Sequence, residues 1–312
     1  MAGAGRRERM LVIVNPHATT VSERLERLVI HALGARYSVE AVRTREPGEA
    51  TVLARDAAEH GCDVVVAFGG DGTVREVAGG LIGSRTPLAL LPGGATNVFA
   101  RLLGLPRDVI DAAEGLLETA GRLEPRLIDT GRANGRPFLF AAGVGLSASM
   151  VARVERAPRL KARLRQHYFA YAALRAFLEE YLRDPPRVRV EVDEVAIEGV
   201  TVIAQNAAPL SFFGALPIHV ASAAGLETGA LSVSVLERAR LADLGTLLPR
   251  LFGPGAAGHP RVSTLEARTP VRVIALADPF ALELDGDPQG SFEAIELAVA
   301  PRSLAVLVSQ SA

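Results

Sequence analysis

Residues 63–77 read Asp63-Val64-Val65-Val66-Ala67-Phe68-Gly69-Gly70-Asp71-Gly72-Thr73-Val74-Arg75-Glu76-Val77. A short apolar run without alternation, rich in valine, predicts a strand buried on both faces. Two adjacent glycines end it, and helical spacing then continues to about Ile82. A strand that passes through a glycine turn directly into a helix is the opening of a parallel α/β unit. The glycines let backbone N–H groups converge, and the helix N-terminus adds donors and partial positive charge, so the turn suits an anion. Thr73 and Glu76 stand at capping-box spacing. Asp71 fits poorly in a loop built only to turn. Beside phosphates it would repel them, unless it binds Mg²⁺ directly or through water.

The same device recurs on either side. Met10–Val14 is an apolar run ending in Asn15-Pro16, with helical spacing over 21–34. Tyr37–Val42 predicts a strand ending near Thr44, and a helix follows over Gly48–His60. Leu88–Leu91 predicts a further strand, followed by Pro92-Gly93-Gly94-Ala95 and a helix over Thr96–Leu103. Strands alternating with helices imply a parallel sheet. Ligands gather at the carboxyl ends of such strands, so Asn15, Thr44 and the two glycine loops are expected at one edge.

The pattern changes after about residue 125. Helical spacing covers roughly 147–182, and beyond Pro185-Pro186 short β runs predominate: Val188–Val192, Val195–Ala204, Ala230–Val235, Val271–Ala275, Phe280–Leu284, Ala294–Ala298 and Leu304–Val308. Helical spacing returns around Leu241–Phe252. This predicts an α/β domain with a parallel sheet over 1–130 and a mostly β sandwich domain over 131–312, whose last strand can return to the first domain. Asp285-Gly286 reads as a hairpin turn after Phe280–Leu284.

Composition narrows the chemistry. The chain has 312 residues, 49% hydrophobic and 22% charged, with a formal net charge of −1. That excludes a disordered chain and gives no basic field for nucleic acid. Cys62 is the one cysteine, so no internal disulfide or cysteine-rich zinc site exists. Of 34 lysines plus arginines only Lys161 is a lysine, and no glycine lies near it. A G-x-x-x-x-G-K-[ST] phosphate loop and the V-A-I-K strand of protein kinases are therefore both absent. No G-x-S-x-G turn is present, and His17, His167 and His219 lack partners at metal-ligand spacing. No secretory signal is evident, and a cytoplasmic protein is expected. The uncharged stretch Gly199–Leu226 carries Pro209 and Pro217, which would break a membrane helix, so it reads as buried strands and a loop.

Asn15-Pro16, Gly69–Thr73 with Glu76, Leu91–Arg101, Ala142-Gly143-Val144-Gly145 and Asp285-Gly286-Asp287 occur in the order that resembles the diacylglycerol kinase-like lipid kinases, which include sphingosine and ceramide kinases. The likeness covers nearly the whole chain. It implies ATP bound in a cleft between the two domains and phosphoryl transfer to a lipid hydroxyl. By this resemblance Gly69, Gly70, Asp71, Gly72 and Thr73 are the nucleotide-phosphate loop. Asn15, Thr44, Glu76, Gly94, Thr96 and Asn97 join them, and Asp285 is the catalytic base. Relatives hold Mg²⁺ through a network of three aspartates. Here Val98 and Ser147 replace two of them, Arg75 replaces an asparagine, and Ala95 stands where threonine is common. A structural-metal element reads Thr228-Gly229-Ala230-Leu231, and that metal is not expected. Relatives are often homodimers, which is an analogy only.

Arg153, Arg156, Arg159, Lys161, Arg163 and Arg165 fall within thirteen residues against Glu155 alone. They read either as a solvated helix face or as a peripheral contact with anionic lipid at the inner membrane face. Two other functions stay open: a kinase of a non-lipid acceptor, like the NAD kinases that share G-G-D-G loops, and a nucleotide- or lipid-binding protein without turnover.

Overall fold

The computed structural model describes residues 6–146, 148–149, 185–221, 223–238 and 240–308. Ser147 and the basic cluster from Arg153 to Arg165 lie outside the described residues. The chain divides into two compact units. One comprises residues up to Ile128 together with those from Arg302 onward, and the other is Asp129–Pro301.

The first unit runs β1 (Arg9–Val14), α1 (Glu23–Leu33), β2 (Ser38–Arg43), α2 (Glu49–Glu59), β3 (Val64–Gly69), α3 (Asp71–Leu81), β4 (Leu88–Pro92), α4 (Val98–Leu102) and α5 (Val109–Thr119). The strands are parallel in the order β2-β1-β3-β4. After β1 the chain moves to one side for β2 and to the other for β3, so the topological switch point falls between β1 and β3. Every residue of β3 is buried, as an unalternating strand covered on both faces must be. The Ser22 hydroxyl accepts from the Leu25 N–H and starts α1. Val29 and Leu33 of α1, Tyr37, Phe68 and Leu116 of α5 share one core. Helix α5 was not among the expected elements. Its start is set by Asp108, whose carboxylate accepts from the Ile110 N–H at 2.7 Å.

The second unit continues with β5 (Arg126–Ala133), β6 (Arg136–Phe138), β7 (Ala141–Val144), β8 (Val188–Val192), β9 (Val195–Gly199), β10 (Thr201–Gln205), β11 (Ser211–Phe213), β12 (Leu216–Ile218), β13 (Leu231–Leu236), α6 (Leu244–Leu251), β14 (Val262–Ala267), β15 (Val271–Ala275), β16 (Phe280–Leu284), β17 (Asp287–Phe292) and β18 (Ala294–Val306). One sheet has the order β14-β13-β10-β7-β16-β17, and its strands are antiparallel. In the other, β18, β15, β8 and β9 are neighbours, again antiparallel. Val190, Val202, Val233, Val273, Phe280 and Leu282 fill the layer between them. The architecture is the expected one, a parallel-sheet α/β unit followed by an antiparallel β sandwich.

Three expectations are corrected. The run Val195–Ala204 is two strands, because the chain turns at Gly199, where a Cβ would lie 2.5 Å from Val235 Cγ1. Ala294–Ala298 and Leu304–Val308 are not separate strands but belong to the single strand β18, which passes through Pro301 and a left-handed Arg302 (φ 48°). Its end belongs to the first unit, where Val306 pairs in parallel with Leu88 and Leu307 enters the core. In Gly199–Leu226 only β10 is a buried strand, and β11 and β12 form a half-exposed hairpin.

Candidate functional site

The glycine loops lie at the carboxyl ends of β3 and β4. Gly70 is the N-cap of α3, with no side chain capping the helix. A glycine at this position leaves the helix start open to close approach by another group. Thr73 is inside this first turn and cannot be an N-cap, which overturns the capping-box reading. Its hydroxyl instead accepts from the Asn15 side-chain amide at 3.0 Å. The Asn15 backbone N–H donates to the Phe68 carbonyl, and its side-chain oxygen accepts from the His17 N–H. Asn15 thus joins the end of β1 to the start of α3 across the switch point.

The glycines answer to close packing of backbone on backbone. A Cβ on Gly69 would stand 2.5 Å from Thr73 Oγ1, and one on Gly94 would stand 2.7 Å from Gly70 Cα and 2.8 Å from Asn97 Oδ1. The Gly93 N–H donates to the Gly69 carbonyl at 2.8 Å. Asn97, in the left-handed region (φ 48°), closes the second loop on itself. Its side chain accepts from the Gly94 N–H and donates to the Gly94 carbonyl. The helix expected from Thr96 begins two residues later for this reason.

Asp71 binds the two loops together. Its Oδ2 accepts from the Val98 N–H at 3.0 Å and its Oδ1 from the Phe99 N–H at 2.9 Å, so it caps α4 from the neighbouring loop. Val98 is buried, with 4% exposure. Thr44 sits at the end of β2, its N–H and hydroxyl both directed to the Val14 carbonyl. Glu76 is half-buried on α3, and its carbonyl accepts from the Thr51 hydroxyl. Thr96 is half-buried in the second loop. Burial, and then the charge of Arg107, holds the Arg101 guanidinium below the usual arginine range.

A second arrangement lies in the sandwich unit. Asp285 and Gly286 are both left-handed (φ 51° and 82°) and join β16 to β17, as a two-residue type I′ turn requires. The Asp285 carboxylate is buried. Its Oδ2 accepts from the Leu139 N–H at 2.7 Å, and its Oδ1 from the N–H groups of Phe140 and Ala141 at 2.9 and 3.1 Å. The hairpin reading and a fixed, ionisable carboxylate coexist here. Sequence reasoning missed Asn206, which holds the other side of the same segment. Its side-chain amide donates to the Leu139 and Asp129 carbonyls, and its own N–H donates to the Phe140 carbonyl. Asp129 in turn accepts from the Gly229 N–H at 2.7 Å. The only trace of Asn206 in the sequence was a lone polar pair, Gln205-Asn206, closing an apolar strand.

Comparison with known proteins follows the same division. The diacylglycerol kinase catalytic domain matches residues 9–131, and the YegS C-terminal NAD kinase beta sandwich-like domain matches residues 141–308. The diacylglycerol kinase of Bacillus subtilis is 31% identical over 82% of this chain and 81% of its own length. That of Staphylococcus epidermidis is 28% identical over 92% and 88%. The chain belongs to the diacylglycerol kinase-like lipid kinase family. A crystal structure of a diacylglycerol kinase from Bacillus anthracis shares the fold of this kinase over 98% of both chains, with a TM-score of 0.72 and 20% identity.

Mg²⁺ is implied by the family, and the donor set can be tested against it. Both Asp71 oxygens are committed to backbone N–H groups, position 98 is a buried valine, and no group of three His, Cys, Asp or Glu side chains among the described residues could hold a metal. Among the described residues this donor set does not fit a protein-held Mg²⁺. Among the described residues no helix is long and apolar enough to cross a membrane.

Proposed function

We propose that this kinase transfers the γ-phosphate of ATP to a hydroxyl of diacylglycerol or a related lipid. The observation that carries the reading is the pair of interlocked glycine loops at the switch point, with the glycine-capped start of α3 between them. Such a helix start attracts phosphate oxygens through its N–H groups and dipole. Gly70, Asp71, Gly72 and Thr73 supply those N–H groups, and Gly94, Thr96 and Asn97 form the facing loop. Asn15 fixes the Thr73 hydroxyl, Thr44 ends the strand beside β1, and Glu76 stands in the second turn of α3.

The acceptor end of the reaction falls to Asp285. The lipid hydroxyl oxygen attacks the γ-phosphorus, its proton passes to the Asp285 carboxylate, and ADP leaves with the electrons of the broken P–O bond. A loose phosphoryl-transfer transition state asks more for orientation than for a strong base. A carboxylate fixed by three backbone N–H groups meets that demand.

The test is transfer of labelled γ-phosphate into a panel of lipid alcohols in mixed micelles, with NAD⁺ as a parallel acceptor. Label in one lipid class supports the reading and names the acceptor. Label in NAD⁺ alone would replace it with the non-lipid alternative.

A further inference from the structure

Helix α6 leaves part of its apolar surface uncovered. Two of its polar side chains bond the loop that follows: the Thr246 hydroxyl is 2.9 Å from His259 Nε2, and Arg250 donates to the Gly255 and Ala257 carbonyls. The Leu251 carbonyl accepts from the His219 N–H at 2.7 Å, which ties the helix to the end of the β11–β12 hairpin. Leu247 and Leu251 are half-buried, but part of the apolar surface is left outside. Leu248 is 50% exposed and Phe252 48%, and Leu241 in the preceding turn is 58% exposed. Leu248 and Phe252 are four residues apart, on one face of the helix, and Leu241 lies in the tight turn that precedes it. The hairpin extends the same surface, since Phe252 meets Phe213 edge to face at 6.5 Å and Phe213 pairs with Leu216, itself 58% exposed.

A monomer seldom leaves large apolar side chains grouped in this way without a partner. The surrounding charge points to the nature of that partner. Gly199–Leu226, which contains the hairpin, has no charged residue. Exposed Arg238 and Arg240 lead into α6 against exposed Glu237, while Arg250 and Asp243 are half-buried. An apolar face flanked by excess arginine matches the acyl boundary and anionic headgroups of a bilayer.

We infer that the face formed by α6 and the β11–β12 hairpin seats on an anionic bilayer, with Leu216, Leu241, Leu248 and Phe252 entering the headgroup layer. The choice of a bilayer rests on the lipid-acceptor reading above. This surface is separate from the basic cluster of the sequence analysis.

The chain contains no tryptophan, so one introduced residue reports its own surroundings. Leu248→Trp is compared with Val195→Trp, an equally exposed site on β9 of the same unit (47%). With phosphatidylglycerol-containing vesicles, the emission of Leu248→Trp is expected to shift to the blue and to be quenched by brominated lipid, and that of Val195→Trp to stay unchanged. The double variant Leu248→Asp/Phe252→Asp is expected to weaken vesicle binding at least tenfold. It should slow transfer to diacylglycerol in vesicles but not to a monomeric short-chain diacylglycerol. No shift at position 248, or equal shifts at both positions, overturns the inference. So does a blue shift that grows with protein concentration without vesicles, which would assign the face to a second copy of the chain. Vesicle binding through position 248 without transfer to any lipid would keep the surface and remove the acceptor reading.

Discussion

Replacing Asp285 by asparagine separates anchoring from chemistry. Asparagine tolerates the left-handed backbone nearly as well as aspartate, so the type I′ turn itself survives. The loss falls on the three N–H groups of Leu139, Phe140 and Ala141. The asparagine oxygen can keep the bonds from Phe140 and Ala141, but its NH₂ then faces the Leu139 N–H, donor against donor. The 2.7 Å charge-assisted bond is lost, at about 1.5–3 kcal/mol, and the two retained bonds become neutral and weaken. A total of roughly 3 kcal/mol follows, and with a urea dependence of about 1–3 kcal/mol per M the unfolding midpoint falls on the order of 1 M. Circular dichroism during urea unfolding reads the midpoint, and ATP binding by the native variant checks that the glycine loops are intact. An unchanged midpoint would refute the anchoring argument. A lowered midpoint together with undiminished phosphate transfer would refute Asp285 as the proton acceptor.

Other expectations are equally direct. Gly94→Ala forces a Cβ against Gly70 and Asn97 and should cost about 1–3 kcal/mol, while Gly245→Ala, with nothing within 4 Å, should be neutral or stabilising. Thermal unfolding compares the two. Asp71→Ala leaves α4 without its cap and should lower both stability and ATP affinity. Calorimetric titration should find that loss undiminished at high Mg²⁺, whereas recovery would show that the aspartate serves the ion. Burial pushes the Cys62 thiol and the Tyr37 phenol above their ordinary values of 9.0 and 10.0. The unfolded chain then releases these protons first, so the first unit should lose stability as pH rises above about 9. Alkylation of Cys62, which is 7% exposed, should follow unfolding of that unit and not native solution chemistry.

Much of the first unit was legible because its strands are unbroken apolar runs and its turns are glycines. In β3 and the following loop, composition and conformation say the same thing. The reason for the glycines was not legible. Sequence suggested room for phosphate, whereas the structure shows Gly69 and Gly70 against Gly93 and Gly94, a contact between segments more than twenty residues apart. Thr73 and Glu76 looked like a capping box because their spacing is local, and the competing partner, Asn15, is not. Pro301 and Arg302 looked like a break, yet β18 continues because its two ends have different neighbours, β15 and β4. The hairpin of β11 and β12 looked buried because it is uncharged, but lack of charge does not decide which apolar surface is covered.

The end of β18 makes the sandwich unit an insertion within the first. Leu304, Val306 and Leu307 are all buried, so the first unit lacks part of its interior until these residues exist. During synthesis, the half that emerges first is therefore completed last, after the whole intervening unit has had time to fold. A chain cut after Pro301 would retain every residue of the sandwich unit and lose the closing stretch of the other. Its defect would appear beside Leu88 and in the core that Leu307 shares with Leu116 of α5.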